Sequence, residues 1–262
     1  MYRGVHLQLS QETNYKEAGY DPTYGPLYVP INPLITQANT YSSIGNSTYH
    51  GLTSSLTKRY SRNFQFQANY TFSKSIDDVT DFNSQFASFT PTRLYLERGL
   101  SAFNVKHNFV ANAVYTTSGP RWISGLLLSP IVTARSGIPF SVTVPAAQNG
   151  TEGHSLYARP IYIPRDSGLG PAFYSFDMRV SKAFYLKADS ATRLEVSVEG
   201  TNLLNHTNFL SVNNTFSPGD PRLALPGPFN FTGSKSISEG EPLGFTSASN
   251  ARQFQFGLKL AF

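Results

Sequence analysis

Of the 262 residues only 14% are charged, against roughly a quarter in a typical soluble domain, while another 14% are aromatic, a balance that argues against a water-facing enzyme. The net charge of +5 comes from Lys and Arg scattered singly, with Lys58, Arg59 and Arg62 the one tight group, so no nucleic-acid partner is expected. There is no cysteine for disulfide or thiol chemistry, and no run approaches the roughly 18 apolar residues of a membrane helix.

Alternation of apolar and polar residues marks a series of strands. Tyr2 to Leu9 sets Val5, Leu7 and Leu9 against Gly4, His6 and Gln8. Tyr49 to Tyr60 opposes Leu52, Leu56 and Tyr60 to Gly51, Thr53, Ser55, Thr57 and Arg59. Asn63 to Ser75 carries the clearest pattern, with Phe64, Phe66, Ala68, Tyr70 and Phe72 against Gln65, Gln67, Asn69, Thr71 and Ser73. Ser61 and Arg62 alone separate these two, which predicts a tight hairpin.

Two weaker strands follow, His107 to Thr116 and Leu126 to Arg135, the second with a bulge or break expected at Pro130, which lacks a ladder donor. Tyr174, Phe176, Met178, Val180 and Phe184 then oppose Ser175, Asp177, Arg179 and Ser181. Beyond a turn near Asp189 and Ser190, Leu194, Val196 and Val198 oppose Arg193, Glu195, Ser197 and Glu199. The last strand, Arg252 to Phe262, alternates Phe254, Phe256, Leu258, Leu260 and Phe262 against Gln253, Gln255, Gly257, Lys259 and Ala261.

These make about eight strands of an all-β, antiparallel fold, joined alternately by short turns and by long stretches near residues 11 to 47, 77 to 106, 143 to 172 and 205 to 250. Transmembrane β-barrels show this rhythm, with short periplasmic turns and long extracellular loops. The facing expected in such a barrel puts Phe64, Phe66, Tyr70, Phe72, Phe176, Met178, Val196, Phe254, Phe256 and Leu258 outward. Gln65, Gln67, Asn69, Asp177, Arg179, Glu195, Glu199 and Gln255 then face inward.

The segments YHGLTSSLTKRYSRNFQFQANYTFSKSIDD (Tyr49 to Asp78), FDMRVSKAFYL (Phe176 to Leu186), EGTNLLNHTNF (Glu199 to Phe209) and the closing QFQFGLKLAF together resemble the end of a TonB-dependent receptor of the Oar-like type. That resemblance implies a barrel of about 22 strands with a plugged lumen, set in the outer membrane of a Gram-negative-type bacterium. It implies lipid, the barrel-assembly machinery and an extracellular ligand as partners, and Phe262 as the outer-membrane insertion signal. Met1 leads directly into a strand with no apolar leader, so residues 1–262 are expected to be a C-terminal barrel fragment, with plug, TonB-engaging segment and signal peptide upstream. An open sheet is then expected, its first and last strands far apart, because small inward residues such as Gly51, Ser55, Thr57 and Ser197 suit a wide lumen. The alternative is a self-contained small barrel acting as a passive pore or adhesin.

No catalytic residue, cofactor or metal site is expected. Glu195 and Glu199 lie four apart on a strand, roughly 13 Å, too far for an acid and base pair across a sugar bond; lumen charges paired across strands are expected instead. Asp77, Asp78 and Asp81 lack the regular spacing of a calcium loop and are expected to be a solvated loop start. The histidines His6, His50, His107, His154 and His206 have no metal-ligand spacing. Tyr15, Tyr20, Tyr24 and Tyr28, mixed with prolines, read equally as a ligand-stacking loop or as an interfacial aromatic girdle with a loop folded over the barrel mouth.

Overall fold

The computed structural model describes residues 2–21, 25–35, 38–79, 94–145, 157–159, 163–185, 192–217, 220–224 and 242–262. Eight strands run through it: β1 (Tyr2–Glu12), β2 (Asn39–Ser61), β3 (Phe64–Asp77), β4 (His107–Thr116), β5 (Leu126–Arg135), β6 (Phe173–Tyr185), β7 (Arg193–Thr201) and β8 (Gln253–Ala261). Each pairs antiparallel with the next, so spatial order follows chain order, and the two-residue strand Gly99–Leu100 is appended to the end of β3. The sheet is not closed. Among the described residues β1 pairs only with the Asn39–His50 half of β2, from Glu12↔Asn39 to Tyr2↔His50, and β8 pairs only with β7.

The registers align the alternation of β3 to β8, whereas β1 pairs Val5 with Ser47 and Leu7 with Gly45, in the rows of the polar set, so its expected alternation is out of phase with theirs. Phe64, Tyr115, Leu128, Val180, Val198 and Phe256 form one row across six strands, every member apolar. On the other face Ser129, Arg179, Glu199 and Gln255 form a row across four. A slip of one residue anywhere would put a polar set into the apolar face, so the side-chain pattern fixes the pairing.

The few side chains that this sheet buries lie on its polar side. Among the described residues, the buried side chains of its strands are Ser73, Asp77, Ser181 and Ser197, whereas Leu56, Phe256 and Leu258 are 63%, 78% and 77% exposed. Fully burying one such apolar side chain is worth about 1.5–3 kcal/mol. In water the face forgoes that gain strand after strand; in an apolar solvent it does not.

Two local expectations change, and of the bulge or break expected at Pro130 the structure has the break. The turn residues of the first hairpin are Arg62 and Asn63, one position later than the sequence predicts, at φ 51° and 61°. Positive φ at both central positions matches the strand twist of a type I′ turn, and the Lys58 ammonium secures it by donating to the carbonyls of Ser61 (2.9 Å) and Phe64 (2.8 Å). Pro130 interrupts pairing with β4 between Asn112↔Ile131 and Tyr115↔Leu128, but the register is the same on both sides, so there is a break and no bulge. The stretch near 11 to 47 is not one loop: β1 and β2 extend into it, and a ribbon of Tyr15–Asp21 against Gly25–Pro30 stands between them. The expected turn near Asp189 and Ser190 lies outside the described residues.

At the end of the sheet opposite the β2–β3 turn, the connections after β3, β5 and β7 pack into a crown. Its core is Val142, Val144 and Ile163 from the β5–β6 connection with Phe216 and Leu223 from the β7–β8 connection, flanked by Phe140 and Leu243.

Candidate functional site

On the polar face Arg179 of β6 pairs with two carboxylates of β7. The Arg179 guanidinium reaches Glu199 at 2.9 Å and Glu195 at 3.2 Å, the pairing of charges across strands that the sequence predicts. Asp177 Oδ1 accepts from Ser175 Oγ and from the Asn202 amide, both at 2.7 Å, and so ties β6 to the turn after β7. In that turn Asn202 and Asn205 take φ near 50°. Asn208, buried, gives Nδ2 to the Tyr174 carbonyl at 2.7 Å and takes its amide at 2.8 Å, standing in for a neighbouring strand. The EGTNLLNHTNF segment is thus an asparagine-built stop for the sheet.

The apolar face has marked limits. At the short-turn end Lys182 folds its ammonium onto the carbonyls of Arg121 (3.0 Å) and Trp122 (2.9 Å), as Lys58 does in the first hairpin, keeping the charge at the rim while its stem covers apolar surface. At the crown end His107 shares a 2.8 Å hydrogen bond with Tyr70, lies 5.2 Å from the Phe72 ring, and has its counterpart in His206, edge-on to Tyr174 at 5.6 Å. From Tyr174 to Lys182 a strand climbs roughly 26 Å. Tilted by about 40°, it spans roughly 20 Å, comparable with the ~25 Å apolar band of membrane barrels.

The crown encloses charge. Arg165, 5% exposed, donates Nε to the Glu97 carbonyl and one η nitrogen to the Asp77 carbonyl, both at 2.6 Å; it also pairs with the carboxylates of Asp77 and Asp166. Arg159, equally buried, holds the Glu97 carboxylate at 3.1 Å and the Ile163 carbonyl at 2.5 Å. Asp78 takes Arg98 at 2.9 Å and the Asn46 amide at 2.8 Å. Asp166 accepts from Ser141 Oγ at 2.8 Å, yet burial raises its carboxyl above the ordinary value despite the Arg165 charge beside it. Asp77 and Asp78 are therefore not a solvated loop start: both are buried and bound to arginines, and Asp81 lies outside the described residues. Among the described residues no group of three His, Asp or Glu side chains is placed to hold a metal.

The four tyrosines part company. Tyr15 and Tyr28 are buried in the ribbon after β1, Tyr20 is exposed, and Tyr24 lies outside the described residues. Phe262, after β8, is 94% exposed. Where β5 and β6 meet the crown, a cavity of about 260 Å³ is lined by Arg135, Ser136, Phe140, Phe173 and Phe209 among others. A wider groove of about 730 Å³ shares Arg135, Ser136 and Phe209 with it and reaches His107, Tyr174 and His206.

Glu97, Arg159, Arg165 and Arg135 escape a reading of the sequence. Arg159 and Arg165 find partners 62 to 88 residues away, inside stretches without periodicity. One signal was available: in a chain so poor in charge, LERGL and IPRD concentrate it within loops.

A sheet apolar on one face, polar on the other and bounded by aromatic and lysine rims is the form of a membrane barrel wall. Residues 2–167 match the outer membrane beta barrel domain family. No curated protein and no solved structure matches the chain. The match covers β1 to β5, and β6 to β8 continue the same sheet in the same register. The chain belongs to the outer membrane beta barrel domain family.

Proposed function

We propose that this chain forms part of the wall of an Oar-like TonB-dependent transporter, taking part in ligand uptake or surface binding at the outer membrane and catalysing nothing itself. In this reading the apolar face meets outer-membrane lipid, the polar face lines the lumen, and the crown faces the exterior, where an extracellular ligand arrives. The observation that carries it is the open sheet. The edge of β8 away from β7, and the edge of β2 away from β3 beyond its pairing with β1, have no strand partner among the described residues. Unpaired edges are not tolerated in hydrocarbon, so further strands must complete the wall. The lumen-side residues Gly51, Ser55, Thr57 and Ser197 are small, which suits a wide barrel rather than one whose interior is filled by side chains. Coupling to the TonB system would run through a plug supplied from outside these residues, and the barrel-assembly machinery would read Phe262.

Three observations test this. The genomic DNA around the coding region should hold an in-frame plug and additional strands; a cysteine pair at Val5 and Phe256 that cross-links efficiently in a purified monomer would instead close the sheet at eight strands and replace the transporter by a small pore or adhesin. Deleting Phe262 from the expressed gene should lower the amount of heat-modifiable barrel without lowering synthesis, and unchanged assembly would remove its role as the insertion signal.

A further inference from the structure

Arg135 ends β5 opposite Phe173, and its guanidinium lies 4.8 Å from the centre of that ring. It has no hydrogen bond and no ion pair with any described residue. The contrast with four other arginines is plain: the buried Arg159 and Arg165 and the exposed Arg98 and Arg179 each hold a carboxylate. Arg135 is half-buried, it lines both the 260 Å³ cavity and the 730 Å³ groove, and no Asp or Glu lines either. A half-buried guanidinium with five N–H donors and no acceptor among the described residues is free to take an anion that enters the cavity.

The surroundings define what kind of anion. Ser136 Oγ accepts the His107 amide at 3.1 Å, which leaves its own hydrogen to donate. Phe140, Phe173 and Phe209 give the cavity flat apolar walls, and its volume is near the lower end for small-molecule pockets. Arg135 falls in the polar-face row Thr53, Thr71, Asn108, Arg135, Phe173, while the wider groove that it also lines extends past His107, Phe109 and Tyr174 of the apolar rows.

We propose that this cavity is a ligand site for small anions with an apolar or aromatic body, the carboxylate or phosphate held by the Arg135 fork with Ser136 as a further donor, and the body lying against Phe140, Phe173 and Phe209. Guanidinium suits this role because its planar fork matches carboxylate and phosphate geometry and stacks on rings. The assignment names the ligand class of the uptake wall and rests on that reading for its biological use. Binding is measured without transport, so lost uptake with intact binding would count against the transporter and leave this site standing.

The test is calorimetric titration of the complete barrel that carries these residues, extracted from outer membranes in detergent micelles, with benzoate and phenyl phosphate as probes and benzamide as the neutral control. Both anions should bind, with benzamide at least tenfold weaker. Arg135→Gln should bring the anions down to the benzamide level, and Arg135→Lys should recover part of the loss as a point charge without the fork. A second arm uses vesicles of phosphatidylcholine with and without phosphatidylglycerol, since a lipid headgroup offers the same phosphate. Equal affinity for benzoate and benzamide, no anion binding at all, wild-type affinity in folded Arg135→Gln, or preference for phosphatidylglycerol vesicles with no binding of phenyl phosphate would each overturn the assignment. The benzoate and benzamide comparison needs no variant and decides the matter even if Arg135→Gln fails to fold.

Discussion

In the wall, Ser181 and Ser197 are buried while Leu258 and Phe256 are exposed; in the crown, Val142, Val144 and Phe216 are buried to the last few per cent, as in any water-soluble core. The two regions belong to one chain and are continuous at Asp77, the last residue of β3 and a partner of Arg165. They obey one rule in two solvents. Strands facing hydrocarbon satisfy every backbone group in the sheet and turn apolar side chains outward. Loops facing water must cluster theirs, and they tie down the charge they enclose with buried arginines.

The comparison breaks most sharply if the crown's ion pairs are removed while the wall is left alone. Arg165→Ala strands the Asp77 and Asp166 carboxylates and two backbone carbonyls; losing one partner of a buried pair costs about 3–5 kcal/mol. The loops should become open to added protease in intact outer membranes while the heat-modifiable barrel persists on gels. Loss of the barrel along with the crown would show that the two regions are not separable.

Next in size comes a charge on each side of β3. Phe66→Arg puts a cation on the lipid-facing side, a cost of about 2–4 kcal/mol at mid-membrane, and should prevent stable assembly. Gln67→Arg, one residue on and on the opposite face, should assemble normally. Equal tolerance at both positions would mean that the exposed apolar face is not the lipid face.

The wall was legible in the sequence and the crown was not, for a physical reason. A strand's facing repeats every two residues, so Phe64 to Ser73 announces itself within ten positions, and β4 and β5 begin and end where alternation places them. The upper half of β2 was missed because Thr40, Tyr41, Ser42, Ser43 and Gly45 carry no apolar alternation; pairing with β1 makes it a strand. Arg165, Glu97 and Asp77 meet through three separate segments, and no local periodicity encodes such a meeting. The Arg135 cavity likewise depends on Phe209 arriving from the β7–β8 connection.

A smaller effect sharpens the crown's side of the comparison. Because burial raises the Asp166 carboxyl above its ordinary 3.8, its protonated form is favoured on folding. That stabilisation is complete below 3.8 and is lost as pH rises through the folded value. Asp166→Asn, a mimic of the protonated acid, should match wild type in crown protease resistance at the acid end and gain on it as pH rises through that window. A ratio independent of pH would contradict the burial of this group.

The most direct test of the two-faced wall uses the absence of cysteine from the chain. Single cysteines placed at each position from Phe64 to Phe72, in protein assembled in outer membranes, are labelled with a water-soluble maleimide. The expected result is alternation: Gln65, Gln67, Asn69 and Thr71 positions react, and Phe66, Ala68 and Tyr70 positions are protected until the membrane is dissolved. Uniform reactivity along β3, or protection of the glutamine positions instead, would contradict the account.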